Sequence, residues 1–185
     1  MSEKAKMIAG EMYFPFDKEL IEDRNKAKEL CFELNTLPPS KTDKRKNIIK
    51  NLLGESFDDT LIESNFFCDY GYNIKVGKNF YINHNCVMLD CAQITFGDNV
   101  LIGPNCGFYT AIHPIDAEER STFAESAKPI TVGNDVWIGG NVTVLPGVTI
   151  GSNTVIGAGS VVTKDIPSNV VAVGNPCKVL RNILD

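Results

Sequence analysis

Val132-Gly133-Asn134-Asp135-Val136-Trp137-Ile138-Gly139-Gly140-Asn141-Val142-Thr143-Val144 begins a run in which an aliphatic residue returns at every sixth position, next at Ile150, Ile156 and Val162. Glycine follows Val132, Ile138, Ile150 and Ile156, and valine or threonine falls four places after the aliphatic residue at Val136, Val142, Val148 and Thr154. Neither an α-helix nor an ordinary sheet has a period of six, whereas hexapeptide repeats mark a β-helix. Three hexapeptides of short, flat strand make one triangular coil, with the aliphatic residue pointing inward from each face. Glycine or asparagine at the corners accepts the tight, often left-handed turn. Chance spacing in a chain rich in Val, Ile and Gly is the alternative, and six in-phase positions disfavour it.

The same phase runs through Val76, Ile82 and Met88, then resumes two residues late at Phe96, Ile102 and Phe108. That slip predicts a corner with a small insertion at Asp90 to Thr95. Ile112 to Lys128 carries no repeat and contains Pro114, four acids and Arg120. It reads as a loop extruded from the coil, a common place for function on a rigid scaffold.

The chain of 185 residues is 43% hydrophobic, which suits one domain with an appendage. A formal net charge of -5 gives no electrostatic footprint for nucleic acid. No apolar stretch is long enough to span a bilayer, and Met1-Ser2-Glu3-Lys4 does not open a signal peptide. Six cysteines (Cys31, Cys68, Cys86, Cys91, Cys106 and Cys177) occur without CxxC pairing and suggest neither zinc nor a disulfide framework. Cys86 and Cys106 stand where other repeats carry Val or Thr, as small buried residues would. The expected location is the reducing cytoplasm.

The first sixty or so residues differ in kind. Glu3 to Ala9 predicts a short helix closed by Gly10. Asp17 to Leu34 predicts a second, with Leu20, Ala27, Leu30, Cys31 and Leu34 on one face and an end at Asn35 before Pro38-Pro39. Ser40 with Asp43 predicts a capping box for a third helix through Leu53, whose buried stripe is Ile48, Ile49, Leu52 and Leu53. Such short helices bury little alone and are expected to pack on the first coils. The charged stretch Lys41 to Lys50 reads as a solvated helix face.

Only two histidines are present, His84 and His113. A γ-class carbonic anhydrase uses a β-helix but needs three zinc-binding histidines, so that chemistry is disfavoured. His113 precedes Pro114, which restricts its backbone to extended geometry at the base of the loop. A neutral imidazole held there can take a proton from a hydroxyl or amine.

Motifs outside the repeat point to one family. They include Met7-Ile8-Ala9-Gly10-Glu11-Met12-Tyr13, Cys68-Asp69-Tyr70-Gly71-Tyr72-Asn73-Ile74, Asn79-Phe80-Tyr81 and Cys86-Val87-Met88-Leu89-Asp90. Further along stand Thr110-Ala111-Ile112-His113-Pro114-Ile115-Asp116, Asn134 to Gly140, Val161 to Pro167 and Val173-Gly174-Asn175-Pro176. With these the chain resembles, over nearly its whole length, the maltose/galactoside O-acetyltransferases among the hexapeptide-repeat acyltransferases, and the maltose branch more closely.

The resemblance implies a homotrimer with sites between neighbouring subunits, acetyl-CoA as acetyl donor, a small sugar as acceptor and no metal. It makes His113 the general base for direct attack of a sugar hydroxyl on the thioester, with no acetyl-enzyme. Asn83 matches a position beside the reacting atoms, where its amide would orient the acceptor or stabilise the oxyanion. Its alternative is a corner asparagine in a left-handed turn. Asp17, Arg24, Asp69 and Glu125 match acceptor contacts, although Asp17 also suits a helix N-cap and Arg24 a surface charge. Cys91 stands where the galactoside enzyme has an acceptor-binding aspartate, which leaves Asp90 as the nearest acid. Asp69 replaces a smaller hydroxyl residue of that enzyme. On the donor side the matching positions are Gly140, Ala158, Thr163, Lys164, Lys178 and Arg181, with Trp137 nearby. Backbone there would meet the pantetheine amides, and Lys and Arg the phosphates.

The expected fold is mainly β: a left-handed parallel β-helix of hexapeptide repeats over 59–185, with the loop 112–128 and a C-terminal tail, after an N-terminal helical segment over 1–58. Acetyl transfer to serine, an amino sugar or a xenobiotic is the alternative activity, and a non-catalytic trimeric scaffold the remaining one.

Overall fold

A computed structural model describes residues 1–185. The repeat folds into a left-handed parallel solenoid of about six turns, with helices at its N-terminal end. Its three faces are sheets. The first stacks Leu61–Ile62, Tyr81–Ile82, Leu101–Ile102, Trp137–Ile138, Val155–Ile156 and Val170–Val173, and ends on the antiparallel strand Lys178–Asn182. The second stacks Phe67–Cys68, Val87–Leu89, Gly107–Tyr109, Thr143–Val144 and Val161–Val162. Ile74–Lys75, Ile94–Phe96, Ile130–Val132 and Thr149–Ile150 form the third.

Side chains alternate across each short strand, so one residue of each pair enters the core and its neighbour faces out. The inward columns are in strict register. Ile62, Ile82, Ile102, Ile138 and Ile156 stack on the first face. Cys68, Met88, Phe108, Val144 and Val162 stack on the second. Both columns belong to one core of 36 buried residues. Asparagine takes the left-handed corner in successive coils, at Asn65, Asn85 and Asn105 and again at Asn79 and Asn99. Its side-chain amides also tie coil to coil: Asn65 donates to Asn85 at 2.9 Å, Asn79 to Asn99 at 2.9 Å and Asn99 to Asp135 at 2.8 Å. Asn83 is not one of these left-handed residues; Asn85 makes that turn.

The slip read at Asp90 to Thr95 is a corner, and it has a counterpart one coil earlier. Cys68 to Val76 covers the same span as Met88 to Phe96, and Ile74 pairs with Ile94. In the next coil the same corner opens into the loop, whose base is a two-strand antiparallel ladder of Ala111–Ile112 with Ser126–Ala127. The enlarged corners therefore lie along one edge of the prism. Buried Thr110 fastens two of them, donating to the Leu89 carbonyl at 2.6 Å and accepting from the Ala92 amide at 2.9 Å.

At the N-terminus, α1 is Glu3–Ala9, capped by the Ser2 side chain and closed by Gly10 at φ +74°. The second helix, α2, is Lys18–Thr36 with Asp17 as its N-cap, and it buries Leu20, Ala27, Cys31 and Leu34. Asn35 does not end it. Instead its side chain exchanges two hydrogen bonds with the backbone of Phe66, at 2.9 and 3.0 Å, which pins the helix to the first coil. The third helix, α3, is Thr42–Leu52. The capping box expected at Ser40 is not formed: Lys41 is the N-cap and makes no side-chain bond. Ile48, Ile49, Leu52 and Leu53 join the solenoid core, as the buried stripe required. All six cysteines are free and buried. No helix is long and apolar enough to cross a membrane.

Candidate active site

The enlarged corners, the loop and the segment between α1 and α2 enclose a cleft of about 300 Å³. Its walls carry Arg24, Asp69, His113 and Glu125, four residues singled out in the sequence. Tyr13 brings the N-terminal segment there. It pairs with Glu125 through backbone bonds of 2.9 and 3.1 Å, and its hydroxyl donates to Glu125 Oε1. Tyr13 is fully buried, and burial pushes its hydroxyl well above the usual tyrosine range, so it stays a proton donor. Glu125 Oε2 lies 3.6 Å from His113 Nε2. The imidazole itself is 57% exposed and reaches the open cleft.

Cys91 lies between the two acids of the wall. Its thiol is 3.6 Å from Asp69 Oδ2 and 4.0 Å from Glu125 Oε1. Burial raises its titration, so it acts as a donor. Burial likewise pushes the Asp69 carboxyl up; the Cys91 thiol opposes that rise, and the Glu125 charge adds to it. Arg24 Nη1 donates to the Tyr70 hydroxyl at 2.6 Å and Nη2 to the Pro15 carbonyl, so its guanidinium is held against the cleft rather than free in solvent.

Three of the expected acceptor residues do not line this cleft within one chain. Asp90 is completely buried and offers no surface to a ligand. Its Oδ1 accepts from the Asp69 and Tyr70 amides at 3.0 and 2.8 Å, while Oδ2 has no partner. Burial raises its carboxyl to about 7 despite the opposing backbone bonds. Asp90 thus sets the corner that carries Asp69 and Tyr70. Asp17 caps α2, its Oδ1 accepting from the Glu19 amide at 3.0 Å, and does not line the cleft. Asn83 also stands outside the cleft of its own chain, half-buried after Tyr81–Ile82, with Oδ1 accepting from the His84 amide at 2.7 Å.

The donor-side residues gather in the later coils but not on one corner. Trp137 is exposed on the first face, in register through Val155 and Val171 with Arg181 on the last strand, which Lys178 begins. Gly140 and Ala158 lie at the corner leaving that face. Exposed Thr163 and Lys164 lie at the next corner, the edge that carries Asp69 and the loop. No group of three or more His, Cys, Asp or Glu side chains is arranged to hold a metal ion.

Four further residues belong to this site: Tyr13 and Tyr70, which stand in the motifs quoted above without a role assigned to them, and Phe16 and Phe123, which no motif marks. Phe123 has φ +64°, and it is the one left-handed position occupied by neither glycine, asparagine nor aspartate. A side chain in that region costs about 1–2 kcal/mol. Its ring meets Phe16 edge to face, with centroids 5.4 Å apart, at the wall of the cleft.

Residues 6–56 match the maltose acetyltransferase hexapeptide capping motif, and residues 129–164 match six bacterial transferase hexapeptide repeats. The chain is 45% identical to the galactoside O-acetyltransferase of Escherichia coli K12, over 96% of this chain and 87% of that one. Its fold superposes on a maltose O-acetyltransferase from Clostridium difficile 630 with a TM-score of 0.96 at 48% identity, covering 98% and 97% of the two chains. It also superposes on a galactoside acetyltransferase in complex with coenzyme A, with a TM-score of 0.95 at 44% identity, covering 99% and 92%.

Proposed function

Because this chain belongs to the maltose/galactoside O-acetyltransferase family of hexapeptide-repeat acyltransferases, we propose that it moves an acetyl group from acetyl-CoA to a sugar hydroxyl. The acceptor is maltose- or glucose-like, or a glycoside. One observation carries the reading: an exposed imidazole, His113, borders a cleft walled by Asp69, Glu125 and Arg24. Carboxylates and a guanidinium are the groups that bind the donors and acceptors of a polyol.

His113 Nε2 takes the hydroxyl proton as the sugar oxygen attacks the thioester carbonyl. The tetrahedral intermediate collapses with cleavage of the C–S bond, and the imidazolium returns the proton to the CoA thiolate. Glu125, fixed by Tyr13 and 3.6 Å from Nε2, stabilises the imidazolium in between. Asn83 serves the oxyanion or the acceptor from a neighbouring copy, since it stands apart from the His113 cleft of its own chain. The homotrimer this requires is supported by the exposed row Leu61, Leu101 and Trp137 on the outer side of the first face. CoA lies along the later coils, with its phosphates near Lys164, Lys178 and Arg181 and its pantetheine near Trp137, Gly140, Ala158 and Thr163.

Acetyl-CoA consumption, followed as free thiol release, tests this across glucose, maltose, a methyl galactoside, serine and chloramphenicol. Turnover confined to the sugars is expected. Turnover on serine or chloramphenicol alone overturns the sugar reading, and silence on all of them with no CoA protection against heat returns the protein to a scaffold.

A further inference from the structure

Two thiols stand together at a place that acetyl transfer does not use. Cys31 lies on the buried face of α2, and Cys68 ends the strand Phe67–Cys68 of the first coil. Their sulfur atoms are 3.7 Å apart, although the residues are 37 positions apart in the chain. Asn35, one turn further along α2, exchanges bonds of 2.9 and 3.0 Å with the backbone of Phe66, two residues before Cys68. Helix and strand are therefore held at this spacing by contacts other than the thiols themselves. The hydrogen bond between the thiols lowers the titration of Cys31, and the same bond, aided by burial, raises that of Cys68. Cys31 is thus the nucleophile of the pair and Cys68 keeps the proton. The remaining thiols near the core are engaged differently. Cys86 and Cys106 each donate to a backbone carbonyl, of Gly103 at 3.4 Å and of Gly139 at 3.2 Å. The pair also has a way in. A pocket of about 370 Å³ is lined by both cysteines, by Lys28 and by exposed Phe32 and Phe67. Cys31 and Cys68 are only 1% and 6% exposed, so a reagent must be small to reach them.

We propose that Cys31 and Cys68 form a peroxide-reactive dithiol, a modification site at which a reversible disulfide ties α2 to the first coil. The Cys31 thiolate attacks one oxygen of hydrogen peroxide and the O–O bond breaks. Cys31 becomes a sulfenic acid, and the departing hydroxide takes up the proton that the thiol released, as water. The Cys68 sulfur then attacks the Cys31 sulfur. The S–S bond forms, the S–O bond breaks, and the Cys68 proton leaves with the hydroxyl as a second water. Two thiols lose two electrons in all, and one peroxide gains them. A small dithiol such as dithiothreitol reverses the change. The site is independent of the acceptor cleft and of the reaction proposed for it.

The test treats the reduced, folded, full-length protein with hydrogen peroxide. Whole-protein mass, peptide mapping and melting temperature are the readouts. The wild type is expected to lose two hydrogens and to yield a peptide linking Cys31 to Cys68 before Cys86, Cys91, Cys106 or Cys177 reacts. Its melting temperature should rise by roughly 5–15 °C, as a cross-link over a loop of this size does, and dithiothreitol should return it. In Cys68→Ala, dimedone should trap a sulfenic acid on Cys31; in Cys31→Ala, Cys68 should remain a thiol. A folded wild type that gives no Cys31–Cys68 link, or links other cysteines first, overturns the site, and needs no variant to do so. Dimedone on Cys68 in Cys31→Ala, with none on Cys31 in Cys68→Ala, overturns the order of attack. A link that leaves the melting temperature unchanged overturns its role in fastening α2.

Discussion

Glu125 stands between Tyr13 and His113: one carboxylate oxygen takes the tyrosine hydroxyl, and the other lies 3.6 Å from His113 Nε2. A buried residue of the N-terminal segment thereby fixes the group that faces the base. The N-terminal segment contributes to the site as well as covering the end of the solenoid.

His113→Ala is expected to fold normally, because the imidazole is 57% exposed and supports little packing. Turnover measured by thiol release should fall on the order of 10²–10⁴-fold, the usual contribution of a general base. Unchanged turnover removes His113 from the mechanism.

Tyr13→Phe leaves Glu125 Oε1 buried without its oxygen donor. The expected loss of stability in urea is about 1–3 kcal/mol, the cost of an unsatisfied buried polar group. Turnover at a temperature where the variant is fully folded should also fall, because the Glu125 carboxylate is less well held. A variant as stable as the wild type would mean that the Tyr13 hydroxyl does not hold Glu125.

Stability should depend on pH through Asp90. Burial raises its carboxyl from 3.8 to about 7 in the folded protein. Between those values the folded state holds a proton that the unfolded state has lost, so this residue's contribution falls as pH rises from about 4 to about 7. Asp90→Asn can keep an oxygen for the Asp69 and Tyr70 amides without titrating. Urea midpoints of the variant should therefore decline less than those of the wild type across that window. Parallel curves would exclude Asp90 as the source.

Lys178→Ala and Arg181→Ala are expected to raise KM for acetyl-CoA roughly threefold to tenfold with little change in kcat, as loss of an exposed phosphate contact does. The difference from wild type should narrow as salt is added, because exposed charges are screened. A fall in kcat at unchanged KM would point away from phosphate binding.

The solenoid was legible because its inward positions are aliphatic and evenly spaced, so each one specified a face. The first coil was harder to see: its columns pass through Ile62 and Cys68, and glycine follows neither. Helices α1 and α2 showed through their caps and apolar stripes, whereas Asn35 was misread because an asparagine that ends a helix and one that hydrogen-bonds a neighbouring coil are the same letter. Within the site, His113 was marked by Pro114. The pairing of Tyr13 with Glu125 carried no local signal, the two being 112 positions apart and joined only by folding. Asp90 read as an available acid because burial is not written in its neighbours, and the strain at Phe123 was hidden because phenylalanine does not advertise a left-handed turn.

A stack of parallel coils is, in shape, a fibre that has stopped growing, and the last strand shows how. Lys178–Asn182 runs against the direction of every other strand on its face and is exposed along its length. The next molecule would have to add a parallel coil, and this reversed, charged strand offers it the wrong hydrogen-bonding pattern. At the opposite end Ile48, Ile49 and Leu52 of α3 plug the opening. The protein keeps the stiffness of a filament while each molecule is closed at both ends.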